Sequence, residues 1–506
     1  MQPTINVTSL IPSLTRTFLP SPPSTSPSTQ TAQPERRDPM APSKHKPFTY
    51  CEGAPSWNPT TYIADAALHE RAEALLASDN LQGAVVLSFS LPPPSRDPYV
   101  YHAIVSVTLP EVQHVVSLGR QNGLHSWYFA PSSAPSPSPS LSNDDESKNA
   151  NPPKKQTLTP LPPPPRPDTD AYLAIFDPTT STPAALKTFH SNAKKGSLRA
   201  EIASYLLAKR FLHPSLATTL TIPKHTKKSP NKLPPNPYLT FLSWAARNLE
   251  WAGPSPSSAL AGNRAHHVLP ILMHHFGCAS PSHEALEILR ILAAGREVLD
   301  MGSGGGYWTF MLRQYGVRAV PVDNAQSAWR VTWVSDTVVA DGVDFLRRRR
   351  KQRKPASGAK NKDGDDAAAA FPDPEEAVLL LVYPIVGGSL AGGTEGSFTR
   401  NMLDAYAGDT LAVVGTQNRN GYTGFRGESM DEYMERERER SGDGWVKVVQ
   451  VALPSFPGKD EALFVFQRGP RAPAKQEDRD SGVPEDGEQS ENRGTVSDST
   501  VNKEDI

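Results

Sequence analysis

The chain has 506 residues, 51 of them proline, with 37% hydrophobic residues and a formal net charge of -1. Length alone suggests about three domains, but proline runs cannot pack, and the composition fits roughly 300 ordered residues in one or two domains with a sizeable core. Balanced charge excludes a global field toward nucleic acid or a membrane. The two cysteines, Cys51 and Cys278, exclude a disulfide framework and a CxxC metal site, and no apolar run approaches the ~18 residues of a membrane span.

Residues 1–45 read as a disordered tail rich in Ser, Thr and Pro, with Arg16 the one base before Glu35. Pro12, Pro20, Pro22 and Pro23 interrupt any presequence helix. Two free thiols suit a reducing interior, and with the presequence helix interrupted, cytoplasm or nucleus is expected rather than mitochondrion. Residues 46–281 read as an N-terminal α+β accessory region, interrupted by a Pro/Ser-rich linker at 131–168. Within it, Ala64 to Ser78 is expected to be a helix. Ala84 to Phe89 and Tyr99 to Val107 are expected to be strands, being β-branched and aromatic. Leu198 to Phe211 and Tyr238 to Trp251 have helical spacing, and Trp244 and Trp251 are read as core packing. His266, His267, His274 and His275 flank Pro270 and are read as surface histidines rather than a zinc site.

From Ser282 the pattern becomes regular. Ser282 is a plausible N-cap and Gly295 a plausible stop. Short strands then alternate with helices. Strands are expected at 297–299, 317–322, 337–340, 377–382, 410–416, 445–451 and 462–466, with helices at 307–315, 343–350 and 398–407. This predicts an α/β fold: a seven-stranded, mostly parallel, doubly wound sheet whose last strand is antiparallel. The domain is placed at 282–468, with an insertion loop at 347–373 and a disordered acidic tail at 469–506.

Val298-Leu-Asp300-Met-Gly302-Ser303-Gly304-Gly-Gly306-Tyr runs a short apolar strand into a glycine turn and then a helix. Glycines let a backbone approach a ligand closely, and a helix N-terminus offers free N–H groups. The dinucleotide fingerprint Gly-x-Gly-x-x-Gly fails here, since its third glycine would fall on Tyr307 or Thr309. The spacing that fits is acid-x-Gly-x-Gly-x-Gly. It resembles motif I of the class I (Rossmann-like) methyltransferases that use S-adenosylmethionine (SAM). That resemblance, spanning roughly residues 282–468, implies SAM as cofactor. A leading carboxylate suits SAM's ammonium and would repel a pyrophosphate. The resemblance further implies that Asp323 at the end of strand two, with Asn324 beside it, holds the ribose hydroxyls. Asp341, followed by Gly342, would meet the adenine amino group. Only residues 324 to 340 separate these acids, which leaves little room for the helix usual after strand two.

On the reacting side, Val382-Tyr383-Pro384 stands where many amino-methylating members carry Asn/Asp-Pro-Pro-aromatic. The leading amide or acid is missing, and Tyr383 is left to bound the methyl pocket or simply to pack. Gln417 and Asn418 lie in a loop rich in amides and glycine and are substrate-contact candidates; turn formation is the plain alternative. Every residue from Arg347 to Lys354 except Gln352 is Lys or Arg. A solvated loop is favoured there over a nuclear signal or a nucleic-acid contact. The functional expectation is a SAM-dependent methyltransferase with an unidentified acceptor; the alternative is a non-catalytic binding or scaffold protein on the same fold. No metal is expected.

Overall fold

The computed structural model describes residues 49–50, 57–103, 105–119, 129–131, 158–160, 164–226, 228–229, 232–248, 267–325, 329–352, 375–384, 396–419, 428–442, 444–456 and 459–473. The expected N-terminal tail, the interior of the 131–168 linker, nearly all of the 347–373 insertion and all but the start of the 469–506 tail fall outside them, as do His266, Trp251 and Cys51. Phe48–Ile506 forms one compact unit.

The strands are β1 (Thr49–Tyr50), β2 (Tyr101–His102), β3 (Ser106–Val107), β4 (Phe129–Pro131), β5 (Leu158–Pro160), β6 (Phe211–Leu212), β7 (Val298–Met301), β8 (Ala319–Asp323), β9 (Val338–Val339), β10 (Val378–Val382), β11 (Thr410–Thr416), β12 (Val446–Ala452) and β13 (Glu461–Gln467). Nine of them form one sheet in the order β1-β9-β8-β7-β10-β11-β13-β12-β6. β7 to β11 pair in parallel wherever they meet, and β13 runs antiparallel to both β11 and β12. The seven strands expected from Ser282 onward are all present. The sheet is wider than expected, because β1 and β6, both from the first half of the chain, add one short strand at each edge.

Side-chain alternation divides the core in two. Val298, Leu380, Ala412, Val414, Leu463 and Val465 face one cluster, while Leu299, Leu379, Leu381, Leu411, Val413 and Phe464 face the other. β11 and β13 are buried along their whole length, as strands covered on both faces must be. The first cluster includes Leu76, Phe89, Tyr172, Leu206, Phe241 and Phe276. The N-terminal region therefore shares its core with the sheet instead of building one of its own.

Several local expectations are corrected. Ala84 to Phe89 is not a strand; it belongs to the helix Leu81–Phe89. Asn80 Oδ1 accepts from Gly83 N–H (2.7 Å), and Leu81, Ala84, Val85, Ser88 and Phe89 are buried at helical spacing. The β-branched run hid that spacing. Tyr99 to Val107 is broken into the pair β2 and β3. The helix expected to reach Phe211 stops at Lys209, and Phe211–Leu212 joins β12. The helix Met430–Ser441 was not anticipated, although Ser429 and Glu432 carry its capping box.

The histidines are corrected too. His275 is 1% exposed, stacked on Phe89 at 4.2 Å between ring centroids, and burial holds its pKa down near 3. His274 Nδ1 meets Tyr99 Oη (2.9 Å). His275 packs the interior because their helix, Leu269–Phe276, lies under the first cluster, and His274 beside it is partly buried.

Trp333 is the hub of that cluster. Its ring meets Tyr307 (4.7 Å), Trp57 (4.9 Å), Phe310 (5.2 Å) and Phe276 (5.7 Å), and its indole N–H donates to His275 O (2.6 Å). Trp333→Ala is expected to destabilise the protein by about 3–5 kcal/mol, read as a lower denaturant midpoint in equilibrium unfolding.

Candidate functional site

Strand order reverses between β8-β7 and β10-β11, so the crevice of this open sheet lies beyond the C-terminal ends of β7 and β10. The glycine loop sits there, between β7 and the helix Tyr307–Gln314. Gly302 N–H donates to Val322 O (2.8 Å) and Gly306 N–H to Ser303 O (2.9 Å). Gly302, Gly304 and Gly306 all have positive φ, at 74°, 58° and 77°, which a side chain would strain.

What a Cβ would meet differs among them. At Gly302 it would meet open space; at Gly304 it would stand 2.5 Å from Trp329 Cζ2, and at Gly306 2.4 Å from Val334 Cγ2. Of the three, Gly302 alone has its Cβ side open. Gly304 and Gly306 give theirs to the protein's own packing.

Asp300 is 1% exposed. Its Oδ2 accepts from Thr309 Oγ1 (2.6 Å), while its Oδ1 and the Ser303 hydroxyl are shielded from water with no hydrogen-bond partner among the described residues. Burial raises its pKa from 3.8 to about 6, the Thr309 hydrogen bond opposes this, and the Asp323 charge adds to it. An orphaned buried carboxylate oxygen beside an open glycine is a place for a cationic donor.

Asp323 ends β8. Its Oδ2 accepts from Gly304 N–H (3.0 Å) and its Oδ1 from Ala325 N–H (2.7 Å), which ties the second strand's acid to the glycine loop. Asn324 follows it and is exposed. Asp341 caps the helix Gly342–Gln352 by accepting from Asp344 N–H (2.9 Å), so one of its oxygens is used structurally. Gly342 packs closely, since a Cβ there would stand 2.5 Å from the terminal methyl of Met402, which would have to shift. The described residues between Asp323 and β9 contain no helix, in keeping with the short spacing of the acids.

Past β10, Tyr383 has φ 56°, a strained backbone for a tyrosine. Lys459 Nζ lies 4.6 Å from its ring centroid, and Pro384 beside it is buried. Gln417 and Asn418 are both buried. The Gln417 side chain donates to Asp460 Oδ1 (2.9 Å) and accepts from Gln450 Nε2 (3.1 Å), so its amide is turned into the protein. Arg347, first of the basic run, is exposed on the helix Gly342–Gln352.

The sequence places the turn Pro454 to Glu461 between β12 and β13 but gives its charges no role. Lys459, Asp460 and Glu461 are each at most 2% exposed. Lys459 Nζ pairs with Glu461 Oε1 (2.6 Å) and donates to Cys278 O (2.9 Å). Tyr205 Oη donates to Asp460 Oδ2 (2.5 Å), and burial lifts the Asp460 pKa to about 7. Nothing local marked these charges as buried. Their partners, Tyr205, Cys278 and Gln417, come from distant parts of the chain.

Among the strands from β7 onward β13 alone runs antiparallel, between β11 and β12, and this doubly wound arrangement is that of the class I, Rossmann-like fold of SAM-dependent methyltransferases. Solved structures similar to the chain include a candidate SAM-dependent methyltransferase from Streptococcus mutans (13% identity, 35% of this chain and 45% of that one, TM-score 0.22). Others are magnesium protoporphyrin IX methyltransferase from Synechocystis PCC 6803 with bound SAM (13%, 41% and 87%, 0.21) and an O-methyltransferase family protein from Burkholderia thailandensis (12%, 60% and 94%, 0.20). The chain spans under half the length of the first of these. No protein-family model matches the chain, and no curated protein does. Among the described residues no helix is long and apolar enough to cross a membrane.

The Asp300 environment makes a pH prediction. The folded protein keeps the Asp300 proton up to about pH 6, whereas the unfolded chain loses it near 3.8. Stability therefore falls as pH rises through that window. Asp300→Asn is expected to flatten this dependence and to raise stability at pH 8 by about 2 kcal/mol, measured by denaturant unfolding at pH 4.5 and pH 8.

Proposed function

We propose that the protein is a SAM-dependent methyltransferase acting on an acceptor not yet identified. The orphaned Oδ1 of buried Asp300, beside the open face of Gly302, carries this reading. That oxygen fits the ammonium of SAM, and the same carboxylate would repel the pyrophosphate of a dinucleotide. Asp323 at the end of β8 would take the ribose hydroxyls, and the remaining oxygen of Asp341 the adenine amino group.

Bound SAM supplies a methyl group already activated on a sulfonium sulfur. The residues of this chain then have to orient the cofactor and the acceptor and exclude water. Asp300 and Ser303 would fix the amino-acid end. Tyr383, held by Val414 O through its own N–H (2.7 Å) and by Lys459 across its ring, would bound the methyl pocket.

A second reading has its own support. At the β11 end, Gln417, Gln450, Asp460 and Tyr205 hydrogen-bond to one another, which favours a cofactor-binding module without transfer. Calorimetric titration with SAM, S-adenosylhomocysteine and NAD is expected to show binding of the first two alone, weakened at least about tenfold by Asp300→Ala. Full affinity in that variant would place the site elsewhere. Methyl-labelled SAM added to extracts then separates the readings: label in a protein, nucleic-acid or small-molecule fraction supports transfer, and binding without label supports the module.

A further inference from the structure

The loop after β8 lies against the glycine loop where a helix would otherwise begin. Trp333 N–H donates to Gly305 O (2.7 Å), and the Trp329 indole rests on Gly304 and Gly305. Trp329 is partly exposed, while its Nε1 is shielded from water and has no hydrogen-bond partner among the described residues.

The neighbouring Arg330 fastens this ring to the N-terminal region. Its N–H donates to His274 O (3.1 Å). Its guanidinium pairs with Asp97 and lies 4.4 Å from the Tyr99 ring centroid. Both members of the ion pair are mostly buried, at 14% and 10% side-chain exposure, so the anchor is a fixed one.

We propose that Trp329 is a cofactor-contacting residue that packs against the nucleoside end of SAM, and that the Asp97–Arg330 pair positions it. The proposal rests on the SAM reading given above. Gly304, whose open face the indole covers, also donates its N–H to Asp323. A ribose held by Asp323 therefore lies beside the ring. An indole offers a π-face to a purine, and its orphaned N–H needs an acceptor that a ribose oxygen or a purine nitrogen supplies. Asp97 and Arg330 touch no cofactor in this scheme; they hold the ring in place.

The test is titration of the full-length protein with S-adenosylhomocysteine, followed by calorimetry and tryptophan fluorescence. W329A is expected to bind about tenfold more weakly, the size of one lost aromatic stacking contact. W329F should stay within about threefold of wild type but lose most of the ligand-induced change in tryptophan emission. D97N should weaken binding about threefold and D97E restore it. W329A binding as tightly as wild type, or more tightly, overturns the proposal; tighter binding would mean that the indole fills cofactor space. Should W329A not fold, an emission change undiminished in W329F overturns it instead. If the wild-type protein does not bind, the methyltransferase reading itself fails and this inference with it. If wild type binds and the Trp329 variants are unaffected, only the inference falls.

Discussion

One face of the central sheet packs into a single cluster with the N-terminal region. Val298, Leu380, Ala412 and Val414 look out from that face, and what covers them includes Phe89, Tyr172, Phe241 and Phe276. Large aromatic rings dominate the contact, and each removes a large apolar area from water. The same packing shapes the glycine loop. Tyr307, first residue of the helix after the glycines, donates its hydroxyl to Asn236 Oδ1 (2.7 Å) and accepts from Tyr238 N–H (3.3 Å). A loop that could be drawn as strand, turn and helix alone is thus braced by Asn236 and Tyr238, which the sheet pattern does not include.

The C-terminal edge of the sheet concentrates what proteins usually avoid. Ala325, Tyr383 and Asp460 all have positive φ there, at 57°, 56° and 57°, and Asp300, Lys459, Asp460 and Glu461 are charged groups at most 2% exposed. Buried ion pairs rarely repay their desolvation, and strained backbone tends to collect where function requires a fixed shape. Elsewhere the chain ends its helices with ordinary caps, as at Ser282, whose Oγ accepts from Ala285 N–H (3.2 Å).

Much of the second half was legible because its signals are local and redundant. β11 matched Thr410 to Thr416 at both ends, and every later strand lay within a residue or two of its expected span. Asp300 could be placed in its strand because that strand runs straight into the glycine turn, and Asp323 at the end of the next strand because an apolar run leads up to it. The first half was harder. Leu81 to Phe89 is apolar on nearly every side, so periodicity could not separate a buried helix from a strand. Trp329 and Lys459 were invisible for another reason: each matters through what it lies against, Gly304 in one case and Tyr383 in the other, and sequence spacing carries no such contact. His275 was misjudged in the same way, since only tertiary packing puts it on Phe89.

The two-residue strands at the margins of the sheet have a consequence for how the chain matures. β1 and β6 are synthesised first, yet their partners β9 and β12 follow more than two hundred residues later. Until then Leu81, Phe89, Tyr172 and Phe241 lack the sheet face they share a core with in the finished fold, and they emerge from the ribosome as an apolar surface awaiting its other side. Such long-range pairing is slow. Once made, it closes both open margins of the sheet with short strands, which denies a second chain the exposed backbone along which sheets otherwise fuse.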